Sequence, residues 1–135
     1  MLILDSSFLV AWHNKRDAHH AAAARVMERL LAGEWGRALL LEYVFLEVVT
    51  VLLARRGLET AATVATALLE SRELDFLPCS EIFLESVDTF RSQKSGALSL
   101  TDAAIVTVAR GLEEPVVATF DSDFRGLPGL TVVPA

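Results

Sequence analysis

The sequence predicts an α/β fold in which helices cover both faces of a mostly parallel sheet. Short apolar segments alternate along the chain with longer segments of helical period. This alternation is typical of a sheet whose parallel strands are joined by helices. The chain has 135 residues, no internal repeat and no linker, so we expect residues 1–135 to form a single domain.

The first half of the chain contains two predicted strands and four predicted helices. Apolar residues at helical spacing mark the helices, and the strongly apolar fifth element ends at Gly57, a residue type that commonly follows helix ends. In order, we predict a strand at 2–4, helices at 6–12 and 18–31, a strand at 38–41, and helices at 44–56 and 59–71.

The second half contains three predicted strands and two predicted helices. Pro78 stops the first of these strands, because proline lacks the amide hydrogen that a ladder requires. The segment 81–93 has helical period, and we expect Ile82, Phe83, Val87 and Phe90 on its core-facing side. In order, we predict a strand at 74–77, helices at 81–93 and 101–112, and strands at 116–119 and 131–133.

Composition narrows the classes of function. The chain is 53% hydrophobic with a mean hydropathy of +0.43, and this apolar surplus predicts a surface that a partner buries. The longest apolar stretch, 43–54, is interrupted by Glu47 and too short to span a membrane. The single cysteine, Cys79, excludes an internal disulfide and favours a cytoplasmic location, where we expect it to be a small core residue.

The acidic balance of the chain bears on nucleic-acid binding. A formal net charge of −6 is the wrong sign for a protein that attracts nucleic acid by its own charge. The arginines are scattered and form no basic run. Activity on RNA would therefore need metal ions that offset the negative charge locally.

Aspartates follow two of the predicted strands directly. Asp5 follows the first strand, and Asp121 and Asp123 follow the fourth. In open parallel sheets, ligands bind beyond the carboxyl ends of the strands, so these side chains point to one edge of the sheet. The structural alternatives are a helix N-cap for Asp5 and a turn or cap for the later pair.

Two further carboxylates lie on predicted helices. Glu47 shares a stripe with Val44 and Val48 on an otherwise apolar helix, so we expect it to be buried and paired with a metal ion. Its alternative is a side chain that reaches a solvated edge or meets an arginine such as Arg55. Asp102 lies in the first turn of its helix and leans toward the core. Its alternative is a dipole-complementing acid that forms a capping-box-like pair with Ser99.

These five carboxylates form a candidate metal site. Oxygen ligands without cysteine or histidine suit Mg²⁺ or Mn²⁺ rather than Zn²⁺. Such a cluster supports hydrolysis of phosphate esters, because metal ions activate water and offset negative charge. The histidines His13, His19 and His20 have a spacing that could suggest another metal site, but no carboxylate or cysteine pattern joins them, and we interpret them as surface residues.

The sequence resembles the PIN-domain family, in particular the VapC-like toxins of bacterial toxin–antitoxin pairs. Four short strings carry the resemblance, in the order and approximate spacing of the family: Leu-Ile-Leu-Asp5-Ser6-Ser7, Tyr43-Val44-Phe45-Leu46-Glu47, Leu100-Thr101-Asp102-Ala103-Ala104-Ile105 and Ala118-Thr119-Phe120-Asp121-Ser122-Asp123-Phe124. The resemblance runs nearly from end to end of the chain. It implies a three-layer α/β/α sandwich and a metal-dependent endoribonuclease.

The resemblance also implies roles for individual residues and partners. Asp5, Glu47, Asp102 and Asp121 match the acidic quartet that holds Mg²⁺ or Mn²⁺, Asp123 matches a further acidic position, and Ser6 or Ser7 and Thr119 match small hydroxyl residues near the metal. Leu41 departs from the Thr or Ser that similar members often carry before the Glu-bearing helix. The partners that it implies are an RNA substrate, a second copy of the chain, and a small antitoxin whose apolar helix would lie in a groove formed by the early helices.

Three other readings compete with the ribonuclease. A haloacid-dehalogenase-type phosphatase would use Asp121 and Asp123, but such enzymes carry that pair near the start of the chain, whereas about a dozen residues follow it here. A PIN-like protein-binding module without catalysis would have no need of the acidic set. A DNA-directed nuclease differs in substrate alone, and only the resemblance favours RNA. Walker, Gly-x-Gly-x-x-Gly and Gly-x-Ser-x-Gly motifs are absent.

Overall fold

The computed structural model describes all 135 residues and contains one central sheet. The sheet has five strands in the order β3-β2-β1-β4-β5, and every neighbouring pair is parallel. The α/β prediction is confirmed, and the sheet is wholly rather than mostly parallel. The strands are β1 Leu2–Leu4, β2 Ala38–Leu41, β3 Leu74–Leu77, β4 Val116–Ala118 and β5 Thr131–Val133.

Six α-helices flank the sheet as predicted. No helix end lies more than two residues from its predicted position. Helix ends fray, and their exact limits depend on the final hydrogen bonds. The segment after β3 begins with a 3₁₀ turn, Ser80–Ile82, before its α-helix, and a second 3₁₀ turn, Ser122–Phe124, follows β4. The helices are α1 Ser6–His13, α2 His20–Leu31, α3 Glu42–Arg56, α4 Leu58–Glu70, α5 Phe83–Ser92 and α6 Leu100–Arg110.

The hydrophobic core is centred on β1. All three of its residues are fully buried, because the strand lies in the middle of the sheet between β2 and β4. Its side chains belong to one contiguous cluster of 30 buried residues. Cys79 is also fully buried, as predicted. The central strand therefore provides a rigid base for the residue that follows it, Asp5.

Helix α5 does not pack as its sequence pattern predicts. Ile82 packs against the core as predicted. Phe83 is 47% exposed and Phe90 is 40% exposed, so the expectation that they face the core is wrong for these two. The only buried residue of α5 is Ser86, and Thr89 joins the helix to Thr107 of α6 through a 2.8 Å hydrogen bond between hydroxyls. Helical period identifies an apolar side of a helix, but it does not say what covers that side.

An apolar groove lies between α3, α5 and α6. Its volume is about 420 Å³, and Leu46 and Phe83 are among its exposed apolar side chains. The groove includes Glu47. The residues that line the groove are Tyr43, Leu46, Glu47, Thr50, Val51, Phe83, Leu100 and Thr101.

No helix has the combination of length and apolar character that crossing a bilayer requires.

Candidate metal centre

The carboxyl ends of two neighbouring strands bring Asp5 close to the segment that follows β4. Asp5 comes directly after β1, and its amide donates a 3.0 Å hydrogen bond to the carbonyl of Ala118, the last residue of β4. Thr119, Phe120 and Asp121 continue from that point. Residues more than a hundred positions apart in sequence thus meet at one edge of the sheet.

The side chain of Asp5 is almost completely buried, with 2% of its surface exposed. Its Oδ2 accepts hydrogen bonds from the hydroxyls of Ser7 at 2.9 Å and Thr119 at 2.6 Å. Its Oδ1 is buried and has no hydrogen-bond partner. Asp5 occupies the N-cap position of α1 but makes no side-chain capping bond, so the capping alternative does not explain it. An unpaired buried carboxylate oxygen is costly in the absence of a cation.

Two hydroxyls hold this arrangement together. Thr119 is fully buried, and its Oγ1 accepts a 2.9 Å hydrogen bond from the amide of Asp121 while it donates to Asp5. Ser7 plays the same part for Phe120, whose amide donates to Ser7 Oγ at 3.0 Å. Each hydroxyl thus uses its donor on Asp5 and an acceptor site on the backbone after β4. Asp5 and Asp121 are therefore fixed relative to each other.

Asp102 approaches the site from the first turn of α6. Its Oδ2 accepts a hydrogen bond from the amide of Ser99, and Ser99 Oγ accepts one from the amide of Asp102, which forms a full capping box. Burial raises the pKa of Asp102, the bonds to Ser99 oppose that rise, and the charges of Asp5 and Asp121 add to it. Asp102 therefore does cap its helix, but the capping bond uses only one of its two carboxylate oxygens.

Glu47 is exposed, so the prediction that it is buried is wrong. Helix α3 buries the stripe of Val44, Val48 and Leu52, and Glu47 lies at the edge of that stripe. Partial burial of its carboxyl raises its pKa, the charge of Asp5 adds to the rise, the Ser6 hydroxyl opposes it, and Asp102 contributes a smaller rise.

No arginine neutralises Glu47, so the proposed pairing with Arg55 is absent from the structure. The salt bridges all lie elsewhere, at Arg29–Glu34, Arg37–Asp75 and Arg91–Asp88. The repulsion of Glu47 by the carboxylates of Asp5 and Asp102 is therefore not offset by a salt bridge. Leu41, which ends β2, provides no side-chain capping bond to α3.

Asp121 and Asp123 separate in the structure. Asp121 is half-buried, and its Oδ1 accepts a 2.9 Å hydrogen bond from the amide of Asp123, which caps the 3₁₀ turn. Asp123 is exposed and lines a different cavity of about 550 Å³. Its charge is not among those that raise the pKa of Glu47 or Asp102. Effects of charge on the pKa values of Glu47 and Asp102 therefore link Asp5, Glu47, Asp102 and Asp121 into one acidic cluster, and Asp123 is not part of it.

The four clustered carboxylates offer oxygen ligands only, which suits Mg²⁺ or Mn²⁺. As the side chains stand, no three His, Cys, Asp or Glu residues are arranged so that they could hold a metal ion together. Like charges repel, and one oxygen each of Asp102 and Asp121 is occupied by a local hydrogen bond. The unpaired Oδ1 of Asp5 is the observation that fits a cation at this position.

The three histidines have different environments. His13 is half-buried, its Nε2 has no partner, and burial lowers its pKa to about 4, so the interpretation of all three as surface residues is wrong for His13. His20 Nδ1 lies 3.0 Å from the carbonyl oxygen of Ala11. His19 is exposed and stacks on Phe120, with ring centroids 4.3 Å apart. The sequence analysis missed this contact, because nothing in local pattern links the two positions.

Comparisons with known proteins agree with this fold. Residues 2–130 match the sequence model of the PIN domain, whereas comparison with curated proteins gave no match. The structure is similar to VapC20 of Mycobacterium tuberculosis, described as a sarcin-ricin loop cleaving toxin, with a TM-score of 0.76 and 24% identity over 91% of this chain and 92% of that one. It is also similar to a chain of a toxin–antitoxin complex from Klebsiella pneumoniae, with a TM-score of 0.66 and 19% identity over 97% and 96% of the two chains.

Proposed function

The chain belongs to the PIN-domain family, and from this premise we propose that it is a metal-dependent endoribonuclease that hydrolyses RNA phosphodiester bonds. The observation that carries the proposal is the buried, unpaired Oδ1 of Asp5, surrounded by acids that no basic side chain neutralises. A protein rarely keeps such a group unless a ligand compensates it. A divalent cation is the compensating ligand that oxygen donors favour.

Asp5, Glu47, Asp102 and Asp121 would hold Mg²⁺ or Mn²⁺, with Asp123 as a further acid at the margin. A bound ion supplies Lewis-acid activation of water and neutralises charge at the phosphate. The protein's own contribution is orientation: Ser7 and Thr119 fix Asp5 through its Oδ2 and leave Oδ1 available.

The other acids differ in freedom of movement. The capping box limits the position of Asp102, and the amide of Asp123 limits that of Asp121. Glu47 is exposed and has no capping bond of this kind, and the Ser6 hydroxyl is the one polar group that favours its charged form. Its carboxylate can therefore approach the ion or a water molecule. The net charge of −6 makes the cation necessary for the approach of an RNA phosphate as well as for the chemistry.

We extend the proposal to a toxin whose partners are a small antitoxin and a second copy of the chain. One structural neighbour is a toxin that cleaves the sarcin-ricin loop and another comes from a toxin–antitoxin complex. The apolar groove beside Glu47 supports a partner that covers the site, although it lies between α3, α5 and α6 rather than between the earliest helices. The buried, free thiol of Cys79 is consistent with a reducing cytoplasm, and residues 1–135 would act as one nuclease domain.

Cleavage assays test the catalytic proposal. Purified protein is incubated with RNA and with DNA of mixed sequence, in Mg²⁺, in Mn²⁺ and in EDTA. Asp102→Asn should abolish cleavage, whereas Asp88→Asn, an exposed aspartate on α5, should cleave like the unmodified chain. Cleavage of DNA alone would identify a DNA-directed nuclease. Absence of cleavage in protein shown to be free of antitoxin would favour a binding module.

The partner proposal needs a separate measurement. Light scattering of the purified chain gives its oligomeric state, and co-expression with the product of a neighbouring gene tests for a stable complex. We expect a dimer and a complex that blocks cleavage. A chain that stays monomeric and binds no such product would remove both partners from the proposal.

A further inference from the structure

Three aromatic rings form a stack that leads from the core to the surface beside the acidic site. Phe8 is fully buried, and its ring lies 6.1 Å from that of Phe120 at an interplanar angle of 16°. The ring of His19 lies 4.3 Å from that of Phe120 at an angle of 13°. Burial decreases along the stack, because Phe120 is half-buried and His19 is exposed. The stack therefore ends in an exposed imidazole.

Hydrogen bonds connect this stack to the residue at the centre of the site. The amide of Phe120 donates to Ser7 Oγ at 3.0 Å, and the same hydroxyl donates to Asp5 Oδ2 at 2.9 Å. Phe120 also lies between Thr119 and Asp121 in sequence, and both belong to the same network. The position of the stack is thus set relative to the carboxylates by short contacts on each side.

The loop between α1 and α2 holds His19 over Phe120. The amide of His19 donates a 2.8 Å hydrogen bond to Asp17 Oδ1. The imidazole has no aromatic partner other than Phe120. Lys15 and Arg16 are exposed in the same loop. These two positively charged side chains can contact phosphate groups of a nucleic acid, which the net negative charge of the protein otherwise repels.

We propose that His19 and Phe120 form a platform on which an unpaired base of the RNA stacks, next to the phosphodiester at the acidic site. This inference rests on the proposed ribonuclease function and adds a substrate class to it, namely RNA whose base is free to leave its own stack. Proteins that read single-stranded RNA stack bases on aromatic and histidine rings. A base in a regular duplex is already stacked on its neighbours and cannot reach the platform.

The experiment measures binding separately from cleavage. A fluorescein-labelled single-stranded RNA of mixed sequence is titrated with the otherwise unmodified protein in Ca²⁺, which takes oxygen ligands and replaces Mg²⁺ so that cleavage is slow. Anisotropy gives the affinity, and a gel checks that the probe stays intact. The same measurement is made with His19→Ala and His19→Phe added to that protein, and with a duplex of the same RNA. A series of probes with one abasic nucleotide each then locates the stacked base.

We expect His19→Ala to weaken binding of the single strand about fivefold to tenfold and His19→Phe to restore it to within about twofold, because a ring rather than an imidazole nitrogen is needed. Binding of the duplex should be the same in all three proteins. At one position of the abasic series, the effects of removing the base and of removing the His19 ring on the binding free energy should not be additive, because each change removes the same contact.

The outcomes separate this platform from the nuclease proposal. Equal affinity of the His19→Ala and parent proteins for the single strand overturns the platform, whether or not the unmodified chain cleaves RNA. Failure of His19→Phe to restore binding also overturns it, as does a parent protein that binds no RNA. If the unmodified chain cleaves no RNA but the pattern of binding is as expected, the platform stands and the nuclease proposal fails.

Discussion

Replacement of Asp5 by asparagine should raise stability and abolish cleavage at the same time. Asparagine can place its carbonyl oxygen where Asp5 Oδ2 accepts from Ser7 and Thr119. Its amide then occupies the position of the unpaired Oδ1. The substitution removes a buried negative charge and puts a hydrogen-bond donor near the acids whose pKa values that charge raises, Glu47 and Asp102.

The size of the effect follows from two opposing contributions. An unsatisfied buried group costs about 1–3 kcal/mol, and more when charged, whereas the two hydroxyl bonds to Asp5 weaken when their acceptor becomes neutral. We expect a net gain of about 1–2 kcal/mol in the free energy of unfolding in EDTA at pH 7. For a chain of this length, that gain corresponds to a rise in Tm of about 3–8 °C.

The gain should depend on pH with a definite sign. Folding raises the pKa of Glu47 and Asp102 above ordinary values of 4.5 and 3.8. A group whose pKa is raised by folding stabilises the folded state when the pH is below its ordinary pKa. This stabilisation is lost as the pH rises through the pKa that the group has in the folded state. The excess stability of Asp5→Asn should therefore be larger at pH 7 than near pH 4, because the repulsion that it removes exists only between ionised carboxylates.

Thermal unfolding with and without Mn²⁺ provides the assay. Mn²⁺ should raise the Tm of the unmodified chain and have little effect on Asp5→Asn, since a ligand stabilises only the state that binds it. Asp88→Asn removes one exposed charge and should change stability by less than about 0.5 kcal/mol. An Asp5→Asn protein that is no more stable than the unmodified chain in EDTA at pH 7 would show that the unpaired Oδ1 does not destabilise the fold.

Three further predictions concern residues around the site. Thr119→Val keeps the shape of the buried side chain but removes its hydrogen bonds to Asp5 and to the Asp121 amide. It should lower the free energy of unfolding, measured in urea, by about 2–4 kcal/mol, whereas Thr119→Ser should lower it by about 1 kcal/mol. Equal losses in the two variants would contradict this prediction. Ser99→Ala breaks the capping box of α6 and should cost about 0.5–2 kcal/mol and reduce cleavage, whereas unchanged stability would show that the box contributes nothing. Because burial lowers the pKa of His13 from 6.5 to about 4, stability should fall by about 2–3 kcal/mol as pH drops from 6.5 to 4. His13→Phe should lack that part of the acid loss, and an unchanged pH profile would show that His13 is not its source.

The strands and their order of appearance could be predicted from sequence because their signals are local. Short apolar segments between polar or turn-forming residues gave β1, β2, β3 and β5 with the bounds that the structure has. The rule that ligands bind beyond the carboxyl ends of parallel strands then selected Asp5, Asp121 and Asp123. The side chain of Asp5 and the backbone amide of Asp121 do lie on one hydrogen-bonded network through Thr119.

The features that sequence did not predict depend on contacts between distant residues. Helical period placed Glu47 beside Val48, but the solvent reaches Glu47 because α5 leaves the neighbouring groove open. Asp123 follows Asp121 closely, yet it lies within the 3₁₀ turn that Asp121 caps, and it lines another cavity. The contact of His19 with Phe120 joins two loops whose relative position only the folded sheet determines.

The position of β1 at the centre of the sheet has a consequence for when activity can appear. During synthesis, Asp5 leaves the ribosome long before its partner Thr119, which lies 114 positions later. Until β4 is made, β1 lacks its neighbour on one side, and Asp5 lacks one of the two hydroxyls that orient it. A nascent chain whose β4 is still inside the exit tunnel therefore has no assembled acidic site. A ribonuclease of the proposed kind would gain its site only after β4 has been made and has left the tunnel.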